Sequence, residues 1–221
     1  MRRLLFLSLC LTLAASAAIA GGGEEPRYFF LGFDGGFARA VGEGSDLWES
    51  GACAGLNFFY PLTSHLSIGA RAALDRWTLD DDRAVAAIIP PGASVTSYAS
   101  GGRLRIIEVT PLLRLSKDRF LWKHVTGFLQ VGGGLYRVSF DAETVVEYTA
   151  GGPSEVVVAS ASGSDYRGGM TAGAGVSVTI HKDSRLDIYP AYNLIFEDND
   201  TTEYVTLLIA FRVEFSPWED R

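Results

Sequence analysis

Cysteine is almost missing from this chain of 221 residues: Cys10 and Cys53 are the two it has. Cys10 lies inside an N-terminal segment laid out as a secretory leader, so the processed chain keeps one thiol and forms no internal disulfide. Histidine is as sparse, at positions 65, 124 and 181. Zinc-site spacings, P-loops and dinucleotide fingerprints are missing too, so no metal site or cofactor is expected. Downstream of the leader no apolar run approaches the length of a membrane-spanning helix. Basic charge is also in deficit. Removing Arg2 and Arg3 with the leader leaves 17 Lys and Arg against 26 Asp and Glu, a net charge of −9. A nucleic-acid binder carries the opposite balance, so no nucleic-acid partner is expected.

The leader itself has a basic start at Arg2 and Arg3, an apolar run from Leu4 to Leu13, and small residues at Ala18-Ile19-Ala20. Residues 1–20 are predicted to be a signal peptide cleaved between Ala20 and Gly21. Leu9 stands where a lipoprotein signal needs a small residue, which removes Cys10 as a lipidation site. Residues 21–26 then form a short segment, 27–215 the folded unit and 216–221 a tail.

What the chain does have is glycine, 25 residues of it, beside 48% hydrophobic residues. The apolar content excludes a disordered chain, and so much glycine argues against helices. The pattern is period-two alternation. In RGGMTAGAGVSVTI, residues 167–180, every second residue from Met170 is apolar, and those between are small or polar. Eight such stretches occur, with apolar sets from Phe29 to Phe37, Ala52 to Tyr60, Leu66 to Leu74, Ile107 to Leu115, Val125 to Leu135, Met170 to Ile180, Leu186 to Phe196 and Val205 to Phe215.

Each stretch is as long as a tilted strand needs to cross a bilayer, about 9–11 residues, whereas soluble strands average about 5–6. Short turns join strands 2–3, 4–5 and 6–7. Longer acidic loops join 1–2, 3–4, 5–6 and 7–8, the second and third exceeding twenty residues. An even strand number, with short turns at one end and long loops at the other, predicts an all-β fold: an eight-stranded antiparallel transmembrane up-and-down β-barrel. The greasy face then meets lipid, while the glycine face fits a lumen just wide enough for its own side chains. Pro111 and Pro190 each remove a ladder donor, so bulges or weak pairing are expected there. Tyr60, Trp122 and Trp218 are expected at the short-turn interface, and Trp48 and Trp77 at the long-loop interface. An exported soluble barrel of lipocalin kind would instead bury its bulky apolar residues.

YFFLGFDGGF in the first strand, VTPLLRL in the fourth, the GGGLY and AGAGVSV stretches and the closing LLIAFRVEF resemble the small outer-membrane barrels of Gram-negative bacteria, the OmpA transmembrane-domain and OmpX type. The likeness covers about residues 27 to 215 and lies in diffuse motifs that speak for architecture. It implies the outer membrane as location, its lipids, including lipopolysaccharide, as partners, a monomeric state, and a structural or surface-interaction role. In such barrels the last strand ends on an aromatic residue, here Phe215, but SPWEDR follows it.

Strand parity points eight charged residues into the lumen: Asp34, Arg71, Asp75 and Glu108 near mid-height, and Arg114, Asp187, Arg212 and Glu214 nearer the short-turn end. Isolated charges there are costly, so an ion-pair network that plugs the barrel is expected. The alternative is a gate that switches partners and admits small solutes. Surplus acid gathers in the long loops, at Glu43, Asp46 and Glu49, at Asp80 to Asp82, at Asp141, Glu143, Glu147 and Glu155, and at Glu197, Asp198, Asp200 and Glu203. The last group is oxygen-rich but lacks the glycine and spacing of a calcium loop. In the third loop, TAGGPSE between VVEY and VVVAS reads as a hairpin prolonging strands 5 and 6, with an edge able to accept a protein partner.

No enzyme is expected. All three histidines fall in short turns, away from the long loops where a surface active site would lie. HLS at 65–67 resembles the His-x-Ser of lipid A deacylases, but it sits at the wrong end with no acidic partner in view. Cys53 faces the lumen as a small filler, with no basic neighbour to activate it.

Overall fold

The computed structural model describes residues 28–42, 45–117, 124–197 and 201–216. The signal peptide and its Ala20–Gly21 cleavage point, Glu43, Trp122, Asp198, Asp200 and Trp218 lie outside the described residues. Eight antiparallel strands close into one ring, each paired with its neighbour in sequence and the last with the first. They are β1 Phe29–Val41, β2 Gly51–Pro61, β3 Leu66–Thr78, β4 Ser94–Lys117, β5 Val125–Thr149, β6 Glu155–His181, β7 Ser184–Phe196 and β8 Thr201–Phe215. One helix, α1 Asp81–Ile88, stands between β3 and β4.

Closure leaves no free edge within the ring, the condition for backbone hydrogen bonding in hydrocarbon. The stagger can be read from the pairing. Following partners from Phe30 through Phe59, Gly69, Leu112, Gly132, Thr171, Asn193 and Tyr204 leads back to Ala40, ten residues beyond the start. In a ring of eight strands, such a shear tilts them by ~40° from the axis.

Alternation sorts the two faces as lipid and lumen require. Outside stand Phe33 at 61% exposure, Phe37 at 71%, Leu56 at 63%, Leu129 at 60% and Leu135 at 66%. Inside, Asp34, Arg71, Asp75, Glu108, Arg114, Asp187 and Arg212 are all buried. A lipocalin-like barrel has the reverse distribution, so the barrel is inside-out and of transmembrane architecture. In the AGAGVSV stretch the small residues turn inward as parity requires. A Cβ on Gly175 would lie 2.4 Å from the Cβ of Tyr189, so the large lumen side chain of β7 occupies the room that glycine on β6 leaves.

Pro111 and Pro190 weaken pairing without a bulge. The β4–β5 ladder passes from Val109–Leu135 to Leu112–Gly132, and the β6–β7 ladder from Gly173–Ala191 to Val176–Ile188, with register unchanged across both gaps. Each proline keeps its partner on the other side, Ala70 and Leu207 respectively.

Three strands run far past the lipid band: β4 has 24 residues, β5 has 25 and β6 has 27. The hairpin expected in the third loop is present as continuous β5–β6 pairing up to Tyr148–Glu155. The second loop differs from its reading. Residues 94–106 are strand, pairing with β5 from Ser94–Thr149 onward, and only 79–93 lie between β3 and β4. The result is a three-stranded wall above one side of the barrel. Helix α1 packs against it through Val85, which meets Val146 and Tyr148. Asp80 caps that helix, accepting from the Arg83 backbone N–H at 3.1 Å.

Candidate functional site

The lumen is filled in three tiers. In the lowest, Asp187 on β7 accepts from Arg114 Nη1 on β4 at 2.7 Å and from Arg212 Nη2 on β8 at 2.9 Å. Arg212 also donates to Ser177 Oγ at 3.3 Å. Aromatic rings wall the two guanidiniums in, with Arg114 3.5 Å from the Phe128 centroid and Arg212 5.2 Å from that of Phe30. Glu214 is half-buried at the rim, and its backbone N–H donates to the Asp183 carbonyl.

At mid-height Arg71 on β3 bridges two carboxylates. Its Nη2 lies 2.6 Å from Asp34 Oδ1, and its Nη1 donates to Glu108 Oε1. Asn57 Nδ2 donates to Asp34 Oδ2 at 2.9 Å. A guanidinium suits this task because its planar fork presents several donors to two acids at once. Asp75 is not in this cluster. It accepts from the Tyr204 hydroxyl at 3.1 Å, while its Oδ1 and Oε2 of Glu108 have no hydrogen-bond partner.

The uppermost tier is apolar: Ala38, Trp77, Leu104, Ile106, Tyr136, Ile195 and Tyr204, with Trp48 packed on it. Trp77 is 1% exposed, so it is no interface aromatic. It has the same parity as Arg71 and Asp75, and β3 turns it inward to cap the lumen. Trp48 is half-buried beside it, bridged to Leu79. Aromatics do mark the short-turn end outside, where Phe29 meets Phe58 and Phe215 with centroids 5.5 Å apart. Tyr60 is exposed there.

Six of the sequence-read residues therefore fall into two ion-paired groups, Asp34–Arg71–Glu108 and Arg114–Asp187–Arg212, while Asp75 is bonded to Tyr204 and Glu214 stands at the rim. Alternation placed them inside but carried no information on partners. His65, His124 and His181 are exposed at the short-turn end, and Cys53 is buried against Tyr189 and Leu208. Among the described residues no group of acids, histidines and cysteines is arranged to hold a metal.

On the outer wall, Tyr98 donates to Asp82 at 3.0 Å and Tyr148 to Glu155 at 2.9 Å. The bonded carboxylates push both phenols above the ordinary tyrosine range. Beyond Gly169–Ile195, where β6 leaves β7, residues 155–166 of β6 pair with β5 alone and present a free edge. Val156, Val158 and Tyr166 stand exposed along it, at 63%, 60% and 70%.

A fold of this description is a transmembrane up-and-down barrel of eight strands. Among solved structures it is similar to Ail, the attachment invasion locus protein of Yersinia pestis, in complex with the heparin analogue sucrose octasulfate: 13% identity, TM-score 0.48, 85% of this chain and 98% of that one. Neisserial surface protein A (NspA) gives 17%, 0.48, 85% and 97%, and the outer membrane protein OprG from Pseudomonas aeruginosa 11%, 0.45, 84% and 95%. No family model matches the chain, and no curated protein matches it in sequence. The resemblance to small outer-membrane barrels is one of fold, and the class rests on the chain's own strand pairing and burial.

Proposed function

We propose that this chain is an exported outer-membrane barrel with a closed lumen, acting as a monomer, whose β4–β5–β6 wall is a contact surface outside the cell. The observation that carries this is the inverted distribution of side chains, bulky apolar groups outward and ion pairs inward, which only a lipid surround stabilises. The lumen network serves stability. The working surface is the free β6 edge, whose unpaired backbone groups and exposed Val156, Val158 and Tyr166 fit a partner that adds a strand. A catalytic role finds no support, since the three histidines sit at the end opposite this wall.

The test is made on intact cells. In a Cys53→Ser background, Ser160→Cys should react with a membrane-impermeant maleimide, and deletion of residues 144–158 should abolish cell-surface adhesion. Adhesion that survives the deletion removes the contact-surface role.

A further inference from the structure

Four arginines share one position relative to the lipid band. Arg39, Arg76, Arg105 and Arg137 are exposed, and each stands two residues beyond an exposed outward apolar side chain: Phe37, Leu74, Ile107 and Leu135 respectively. Parity puts all four outside the barrel, at the end bearing the long loops. At the other end of these four strands, the single outward cation among the described residues is Lys117.

Three of the four are neighbours. Arg76 on β3 and Arg105 on β4 are direct cross-strand partners. Arg105 is opposite Ser139 on β5, so Arg137, two residues before Ser139, is its diagonal neighbour on the same face. Such spacings bring side-chain roots to within about 5 Å directly and about 7–8 Å on the diagonal. Like charges directly opposite each other destabilise a sheet. Protein groups do not relieve this pair: among the described residues Arg76 and Arg105 have no ion pair, side-chain hydrogen bond or ring contact. Arg137 is held by its Nε bond to Ser164 Oγ at 3.1 Å and by the Tyr166 ring 5.8 Å away, which leaves its terminal nitrogens unbonded. The acids facing this patch are few. Asp141 is opposite Arg103 and is the other diagonal neighbour of Arg105, yet it forms an ion pair with neither, and Glu203 on β8 is bonded to Tyr192.

We infer that Arg76, Arg105 and Arg137 form a binding site for the phosphate of an outer-leaflet lipid whose acyl chains lie on Leu74, Ile107 and Leu135. A phosphate monoester supplies the anion this pair lacks, and guanidinium forks match its oxygens. The height of the site commits it to a lipid, because the apolar surface directly below accommodates acyl chains and holds nothing for a free anion. The inference rests on the outer-membrane reading given above.

The test uses the full processed chain in detergent micelles, with native mass spectrometry counting retained bisphosphorylated lipid A, dephosphorylated lipid A and, separately, inorganic phosphate. The expected result is bisphosphorylated lipid A held at least about tenfold more tightly than its dephosphorylated form, and a loss of about tenfold or more in R76Q/R105Q, at roughly 1 kcal/mol per arginine near a membrane surface. R137Q alone should lose less, and R83Q, in the loop, nothing. Equal retention of both lipids, or no loss in R76Q/R105Q, overturns the site. Inorganic phosphate competing at the concentration of the lipid overturns the lipid assignment. Heat-modifiable gel mobility of each variant reports the folded barrel independently: a wild-type chain that lacks it sinks the membrane reading, whereas a folded barrel blind to phosphate sinks only this site.

Discussion

Trp77 and Tyr204 meet edge to face across the upper lumen, ring centroids 5.2 Å apart and planes at 84°. One comes from β3 and the other from β8, so this contact ties distant parts of the ring and seals it above the charged tiers. Neither wild type nor Arg71→Ala should therefore conduct in a planar bilayer, because the apolar tier remains when the mid-height bridge is cut. Channel opening in Arg71→Ala would establish the gate reading and contradict the plug.

The two lumen acids of similar burial should respond oppositely to neutralisation. Asp34 accepts from Arg71 and Asn57, so Asp34→Asn takes from the buried Arg71 one of its two carboxylates, leaves Glu108 as the other, and should cost about 1.5–3 kcal/mol. Asp75 has a single phenol as partner and one oxygen unbonded, so Asp75→Asn should fall within about 1 kcal/mol of wild type or stabilise it. Urea unfolding of the vesicle-inserted protein, followed by tryptophan fluorescence, separates the two.

Adjacent glycines on β1 give a matched pair. A Cβ at Gly36 would lie 1.9 Å from the Leu207 carbonyl oxygen, while one at Gly35 meets nothing closer than 3.6 Å. Gly36→Ala should destabilise by about 1–3 kcal/mol, as overpacking does, and Gly35→Ala by much less. The same unfolding measurement checks the order.

The wall tyrosines set an alkaline limit. A phenol whose ionisation is raised in the folded state adds stability that is complete below its ordinary value, about 10, and is lost as pH climbs through the raised one. Tyr98 and Tyr148 fit this case, each donating to a carboxylate. Ultraviolet titration of Asp82→Asn should show one phenol returning to the ordinary range. An unchanged curve would mean that the Tyr98–Asp82 bond does not persist in solution.

How much of this was legible in the sequence follows from what side-chain period can encode. Period two fixed which residues of each strand face lipid, and so the burial of Arg71, Asp187 and Arg212. Pairing across the lumen depends on register around the closed ring, a non-local quantity, and the Arg71–Asp34 and Arg114–Asp187 partnerships emerge only from it. Residues 94–106 read as loop because SVTSYASGGRLRI has little apolar alternation. They become strand because β5 beside them offers a continuous ladder and α1 covers the far end. Trp77 was misplaced because aromatic type outweighed parity, although Arg71 and Asp75 on the same strand already gave its direction.

The most direct test of the whole account is where the processed chain resides. Membranes from expressing cells, washed with carbonate and urea, should retain it, and detergent alone should release it as a heat-modifiable barrel. A compact, folded monomer recovered in buffer without detergent would contradict the inverted barrel and everything built on it.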